Sequence, residues 1–277
     1  MADIVIWGQS LQRTWLSDFE FEYLSSLPEA LPDVAWVWRE MDRVWKDMGL
    51  DNQCSLEGQD VRRYYRHPVW LMNGIFTARD PVSAGHRNAV ANYFKAGRAR
   101  VIADYGGGFG ELAKAIVRNV PDAVVAIVEP FPSEVGLRLI GQNSKLCFVP
   151  DLLSQNYDAV IAQDVLEHVE DPVGLAYEIA SRVQVGGELI FANCFYPVIQ
   201  CHIPSTFHLR HTFPWVMRGL GLRYVGKIDG AEHAQVFRRV GALNLGVARQ
   251  GERISKLFHP AFGRCYEFLS RIKRLLV

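Results

Sequence analysis

The stretch DYGGGFG at 104–110 places an acid, Asp104, ahead of three alternating glycines, Gly106, Gly108 and Gly110, between the apolar run VIA and the helical pattern ELAKAIV. A strand that ends in an acid and turns through glycines lets backbone approach a ligand closely, because glycine tolerates unusual dihedrals and carries no Cβ. The helix that follows aims its N-terminus at the same place. Read from Gly108, GFGELA also satisfies the dinucleotide pattern G-x-G-x-x-A, and Glu129 stands about twenty residues on, where that pattern puts a ribose-binding acid. By its glycines alone the turn suits a dinucleotide or another nucleotide-like ligand.

A second set of reactive side chains lies downstream. Five of the eight histidines, His168, His202, His208, His211 and His233, fall between 168 and 233. Asp164, Glu167 and His168 stand at i, i+3 and i+4, so one helical turn would present all three on one face. With His208 or His211 added, two carboxylates and two imidazoles could hold a divalent ion of the manganese, iron or zinc kind.

These residues need a frame. From about residue 99 short apolar runs alternate with amphipathic segments, which predicts a doubly wound α/β domain. Strands are expected at RVIAD, AVVAIVE, LCFVP, YDAVIAQ, GELIFAN, LRYVGKI and AQVFRRV, with helices at GELAKAIVRNV, SEVGLRLIGQN, DPVGLAYEIASRV and PWVMRGLG. The last two strands are joined by DGAEH, too short for a crossover, so they should form a hairpin and leave one strand antiparallel in a seven-stranded, mostly parallel sheet. Residues 1–95 form a Trp-rich, mainly helical extension or lid, with helical spacing in LPDVAWVWREMDRVWKDMGLD, Pro32 in a first turn and Gly49 at a stop. Residues 96–245 form the α/β domain, and 246–277 a basic helical tail.

Composition narrows the classes. The 277 residues suffice for one large domain with an appendage. Thirty basic and thirty acidic residues cancel, so no global field favours nucleic acid. Five cysteines, odd in number and without a CxxC pair, point to a reducing, cytoplasmic setting. No stretch approaches the roughly 20 apolar residues of a membrane span, and MADIVIWGQSLQRTW has no basic leader.

Read from Asp104, D-x-G-x-G-x-G resembles the first motif of class I S-adenosylmethionine-dependent methyltransferases. The resemblance extends through Glu129 in AIVEP and Asp151 in FVPDLL to YDAVIAQDVLEHVEDP at 157–172, the signature of the ubiquinone and menaquinone biosynthesis subgroup. VQVGGELIFANCF and FHLRHTFPWVMRGLGLRYVGKIDG follow in the family's order, with Gln184 and Val185 in place of its usual Lys and Pro. The landmarks cover 99–241 and leave out residues 1–95 and the tail.

The resemblance implies a Rossmann-like methyltransferase fold that binds S-adenosylmethionine and releases S-adenosylhomocysteine. It assigns Asp104, Tyr105, Gly106 and Gly108 to the methionine and ribose end, Glu129 to the ribose hydroxyls, Asp151 to the adenine amino group, and the polar pair Gln163 and Asp164 to the end of the fourth strand. The implied activity is O-methylation of a small molecule: a sugar, glycan precursor, quinone-like compound or secondary metabolite. His208, then His211, are the candidate general bases, since an imidazole titrates near working pH, and His168 would orient the acceptor. Tyr105, Asn193 and Tyr196 are further pocket candidates, and a homodimer is a possible assembly. A set of Asp164, Glu167, His168 and His211, beside HTFPW, resembles the metal site of small-RNA 2′-O-methyltransferases, with Asp164 replacing a Glu. The alternatives are a metal-assisted RNA 2′-O-methyltransferase, a nicotinamide-dependent oxidoreductase and an inactive cofactor-binding protein.

Overall fold

The computed structural model describes residues 3–154 and 156–259. All seven expected strands form one sheet: β3 (Val101–Tyr105), β4 (Val124–Val128), β5 (Leu146–Val149), β6 (Tyr157–Gln163), β7 (Val183–Ala192), β8 (Leu222–Ile228) and β9 (Ala231–Arg239). Their order is β5-β4-β3-β6-β7-β9-β8. The first five are parallel, and β9 runs antiparallel to both β7 and β8. The five parallel strands keep the order of a dinucleotide fold, and the reversed hairpin that follows them departs from it.

Strand periodicity explains the two cores. Ile102, Val125, Ile127, Ala159, Ile161 and Ile190 face α5 (Pro81–Ala96) and α6 (Glu111–Asn119). Their neighbours Ala103, Ala126, Val128, Val160, Leu189 and Phe191 face α8 (Pro172–Ser181), α9 (Phe213–Leu220) and Ala248 of a helix over 245–259. Successive side chains point to opposite faces, so strands buried on both sides read as continuous apolar runs. The winding reverses between β3 and β6, where open α/β sheets bind their ligands.

The N-terminal region adds a hairpin, β1 (Ile4–Ile6) and β2 (Gln9–Leu11), and four helices, α1 (Asp18–Ser25), α2 (Val34–Asp47), α3 (Val61–Tyr65) and α4 (Pro68–Arg79). No sequence pattern announces the hairpin: its turn is Trp7-Gly8, both at positive φ (49° and 81°), a geometry usually signalled by Asn-Gly. In α2 the buried Val37, Met41, Val44 and Trp45 recur at helical spacing. Pro32 lies outside the helix rather than in its first turn, because Asp33 is the cap and its carboxylate accepts from Trp36 N–H. Gly49, at φ 70°, stands just past the helix end as expected.

This region packs onto the sheet domain through Phe109, Val135 and Cys201. Gly74 of α4 makes room for Phe109, whose ring lies 2.7 Å from where a Cβ would stand. Asp42 accepts from Gln200 N–H at 2.6 Å, Asn52 donates to the carbonyls of Gln200 and His202, and Glu170 accepts from Ser55 and Leu56. No described helix is long and apolar enough to cross a membrane. The tail is helical to 259, and the rest of it lies outside the described residues.

Candidate functional site

The site begins at the end of β3. Gly110 caps α6 in the left-handed region and has no side chain to offer the helix N-terminus. Asp104 fills that need from the strand: its carboxylate accepts a backbone hydrogen bond from Ala113 in the first turn of α6. Its other oxygen, Oδ2, is buried without a partner, next to Gly107, where a Cβ would come within 2.8 Å of it. Burial, reinforced by the charge of Glu129, pushes the Asp104 carboxyl up to about 7. A buried carboxylate oxygen with nothing to bind is a demand for a cation or a donor.

Gly106 sits at φ 72°, and a Cβ there would stand 2.6 Å from Val165 Cγ2. Gly106→Ala should therefore destabilise the chain by about 1–3 kcal/mol through strain and overlap. Equilibrium urea unfolding reads this directly; an unchanged midpoint would mean the turn yields without cost.

An acid stands at the carboxyl end of each of the four neighbouring strands β5, β4, β3 and β6. Glu129, one residue past β4, accepts from Phe131 N–H at 3.2 Å and from the Gly108 backbone, and burial raises its carboxyl. Asp151 lies exposed after β5 and accepts from Leu152 N–H at 2.7 Å. Tyr105, half-buried, faces Asp151, Glu178 and Glu129, and burial raises its phenol. Gln163 ends β6 with its amide 3.4 Å from Asp164 Oδ2.

Asp164 itself adopts φ 52°, rare for a residue with a Cβ, while its N–H donates to Ala192 O at 2.7 Å. It is open to solvent, yet surrounding protein desolvates it and raises its carboxyl, as at the floor of a crevice. The strained turn changes the expected metal geometry. Asp164, Glu167 and His168 do not share one α-helical turn, because β6 ends at Gln163 and only Leu166–His168 form a 3-10 turn. Glu167 and His168 instead meet His202, from the loop after β7.

Glu167 is fully buried; one oxygen accepts from Cys194 N–H at 2.6 Å and Oε2 has no partner. Burial and the Asp164 charge push its carboxyl up to about 8. His168 lies edge-on to His202 with ring centres 4.9 Å apart, and edge-on to Tyr65 and Trp70 of the N-terminal region. Burial drives its imidazole down to about 3. Cys194 and Tyr196 continue the lining after β7, where Tyr196 stacks under Arg210. Asn193 Oδ1 is buried without a partner.

His208 is placed elsewhere. Its Nδ1 lies 2.9 Å from Ser205 O, and its Nε2 is 3.9 Å from Glu252 on the 245–259 helix. Ser255 donates to the His208 carbonyl, and Lys256 and His259 lie close enough to influence the ring. Burial among them holds the imidazole at about 4. His211 is exposed beside Arg210 and the same helix. The residue that sequence reasoning passed over is His202: it counted among five clustered histidines, but no motif surrounds it.

A methyltransferase-domain model matches residues 82–240. Curated relatives include the ubiquinone biosynthesis O-methyltransferases of Aliivibrio fischeri (strain MJ11), 26% identical over 154 residues, and Yersinia pestis (strain Pestoides F), 28% identical over 152 residues. The alignments cover 52% and 51% of this chain and 66% and 57% of those proteins, so the chain spans less than two thirds of the relatives' length. Among solved structures, an O-methyltransferase family protein from Burkholderia thailandensis superposes with TM-score 0.53 at 14% identity, over 79% of this chain and 76% of that one. Human N-acetylserotonin methyltransferase in complex with SAM gives 0.51 at 17%, over 74% and 67%. With the domain model matching more than half of the chain on the fold described, this chain belongs to the methyltransferase-domain family, on the class I S-adenosylmethionine-dependent fold.

Proposed function

We propose that this chain transfers a methyl group from S-adenosylmethionine to a hydroxyl of a small molecule, with S-adenosylhomocysteine as the by-product. The observation that carries the reading is the set of acids ending β5, β4, β3 and β6 around a turn in which side chains would collide. When bound, S-adenosylmethionine supplies an electrophilic methyl group on a sulfonium. The residues present fit it. Asp104 offers an unpartnered carboxylate oxygen to the cationic end, Gly106 and Gly108 give backbone clearance, and Glu129 is suited to two vicinal hydroxyls. Tyr105, Asp151 and Gln163 line the remainder.

The acceptor side lies past β6 and β7, where Glu167, His168 and His202 gather within reach of the Asp164 charge and His168 meets Tyr65 and Trp70 edge-on. Residues 1–95 close over this end and hold it through Asp42 and Asn52, while 96–245 carry the donor pocket. His208 is better suited to anchoring the 245–259 helix than to taking a proton, while His211 stands exposed near that helix. Similarity to ubiquinone biosynthesis O-methyltransferases favours a hydroxylated, quinone-like ring as acceptor over a sugar, while the tryptophan and tyrosine faces suit both. Balanced charge speaks against an RNA acceptor. The four described cysteines are free, which fits a cytoplasmic setting.

Calorimetry on the full chain should show binding of S-adenosylmethionine and its demethylated product. Incubation with hydroxylated aromatics and isotopically labelled donor should give products heavier by one CH₂. Binding of NAD in place of S-adenosylmethionine would sink the proposal.

A further inference from the structure

The helix over 245–259 follows the residues matched as a methyltransferase domain and rests on the sheet domain by one narrow face, where Ala248, Gly251, Glu252 and Ser255 are buried. A second flank stays open. Trp215 of α9 and Val247, Ile254, Leu257 and Phe258 of the helix are 45–75 % exposed. Ile254, Leu257 and Phe258 stand at i, i+3 and i+4, and Val247 two turns earlier, so they share that flank. Trp215 extends it across α9, its ring 3.5 Å from where a Cβ on Gly251 would stand. Large apolar side chains exposed together mark a partner surface, where scattered single ones do not.

The charge around this flank identifies the partner. From residue 245 onwards the sequence has seven Lys and Arg against two acids, although the whole chain is neutral. Of those acids Glu252 is buried and neutralised between Arg249 and Lys256, each 2.9 Å away. Arg253 and Lys256 are exposed beside the apolar band, Arg253 one turn before Leu257. A second copy would bring the same basic groups to a shared two-fold interface, where they repel. Apolar side chains bordered by basic ones suit a helix lying in the plane of an anionic bilayer surface.

We propose that the 245–259 helix and Trp215 dock this protein on an anionic lipid surface. Trp215, Ile254, Leu257 and Phe258 enter the headgroup boundary, and Arg253 and Lys256 meet the lipid phosphates. The far end of the helix holds the segment between β7 and α9: Ser255 donates to the His208 carbonyl, and His259 stands close enough to influence His208 and His211. That segment also carries Tyr196 and His202. Delivery of an acceptor from the lipid surface would rest on the methyl-transfer reading; the docking itself does not.

The test sediments the full chain with vesicles of phosphatidylcholine, with and without phosphatidylglycerol. Binding should need the anionic lipid and should fall steeply as salt approaches about 1 M, where the screening length shrinks to about 3 Å. Ile254→Ser combined with Phe258→Ser should lower partition by about 100-fold, roughly tenfold for each large apolar side chain withheld from the lipid. Arg253→Gln should lower it by about fivefold. Since these side chains are exposed, the variants should keep the wild-type urea midpoint, and Leu257→Ser serves if the double variant does not. Equal binding to both vesicle types, binding to neither, or undiminished binding by the double variant overturns the docking. A dimer in place of vesicle binding, dissolved by the double variant, overturns it too and makes a second copy the occupant. Vesicle binding without S-adenosylmethionine binding on the same samples overturns the methyl-transfer reading alone.

Discussion

Asp104→Asn is expected to stabilise the ligand-free chain at pH 8 while weakening S-adenosylmethionine binding by about 10–100-fold, the range for a hydrogen bond to a charged group. Both effects follow from a carboxyl raised to about 7 by burial, with one oxygen left over. The unfolded carboxyl loses its proton near 4. Between pH 4 and 7 the native state therefore holds a proton the unfolded state has released, and stability falls as pH rises. At about 1.4 kcal/mol per pKa unit the loss is on the order of 4 kcal/mol, complete above pH 7. Asparagine does not titrate, so the unfolding midpoint of the variant should change less between pH 5.5 and 8. A cationic ligand favours the charged carboxylate, so wild-type affinity should strengthen from pH 6 to 8 while that of Asp104→Asn stays flat. Calorimetry at three pH values decides it: a flat wild-type profile at the variant's affinity removes Asp104 from donor binding.

Glu129→Ala should reduce donor affinity by about 100-fold or more, because two charge-assisted hydrogen bonds of roughly 1.5–3 kcal/mol each disappear. The residue also holds Phe131 N–H and the Gly108 backbone, so a looser turn contributes to the same loss. Glu129→Gln separates the two, since its amide oxygen still accepts one hydrogen bond in the turn. If Gln restores the unfolding midpoint without restoring affinity, Glu129 acts on the ligand. If both variants bind within about threefold of wild type, well short of one charge-assisted hydrogen bond, its role is confined to the turn.

The contacts of the N-terminal region show how the proposed donor and acceptor halves differ in legibility. The proposed donor side sits within a few residues of strand ends, so Asp104 with its glycines and Glu129 are readable wherever the strands are readable. The proposed acceptor side is assembled over long separations: Gln200 with Asp42, 158 residues apart, and His168 with the Cys201 carbonyl, 33 apart. His208 illustrates the cost of reading such a region locally. It stands in the expected loop after β7, but its ring faces Glu252, which no local pattern connects to it.

The sequence by itself determined the seven strands, the reversed hairpin, the glycine turn and the donor, because each depends on side-chain period, turn length or backbone clearance within a short window. Tertiary structure alone decided which histidines meet. Asp164 takes a left-handed backbone and breaks the helical turn that would have aligned it with Glu167 and His168. The loop after β7, held by α2 and the segment beyond it, then delivers His202 to Glu167 and His168, while the 245–259 helix draws His208 away. Packing between distant segments fixes such meetings, and it leaves no period in the chain to read.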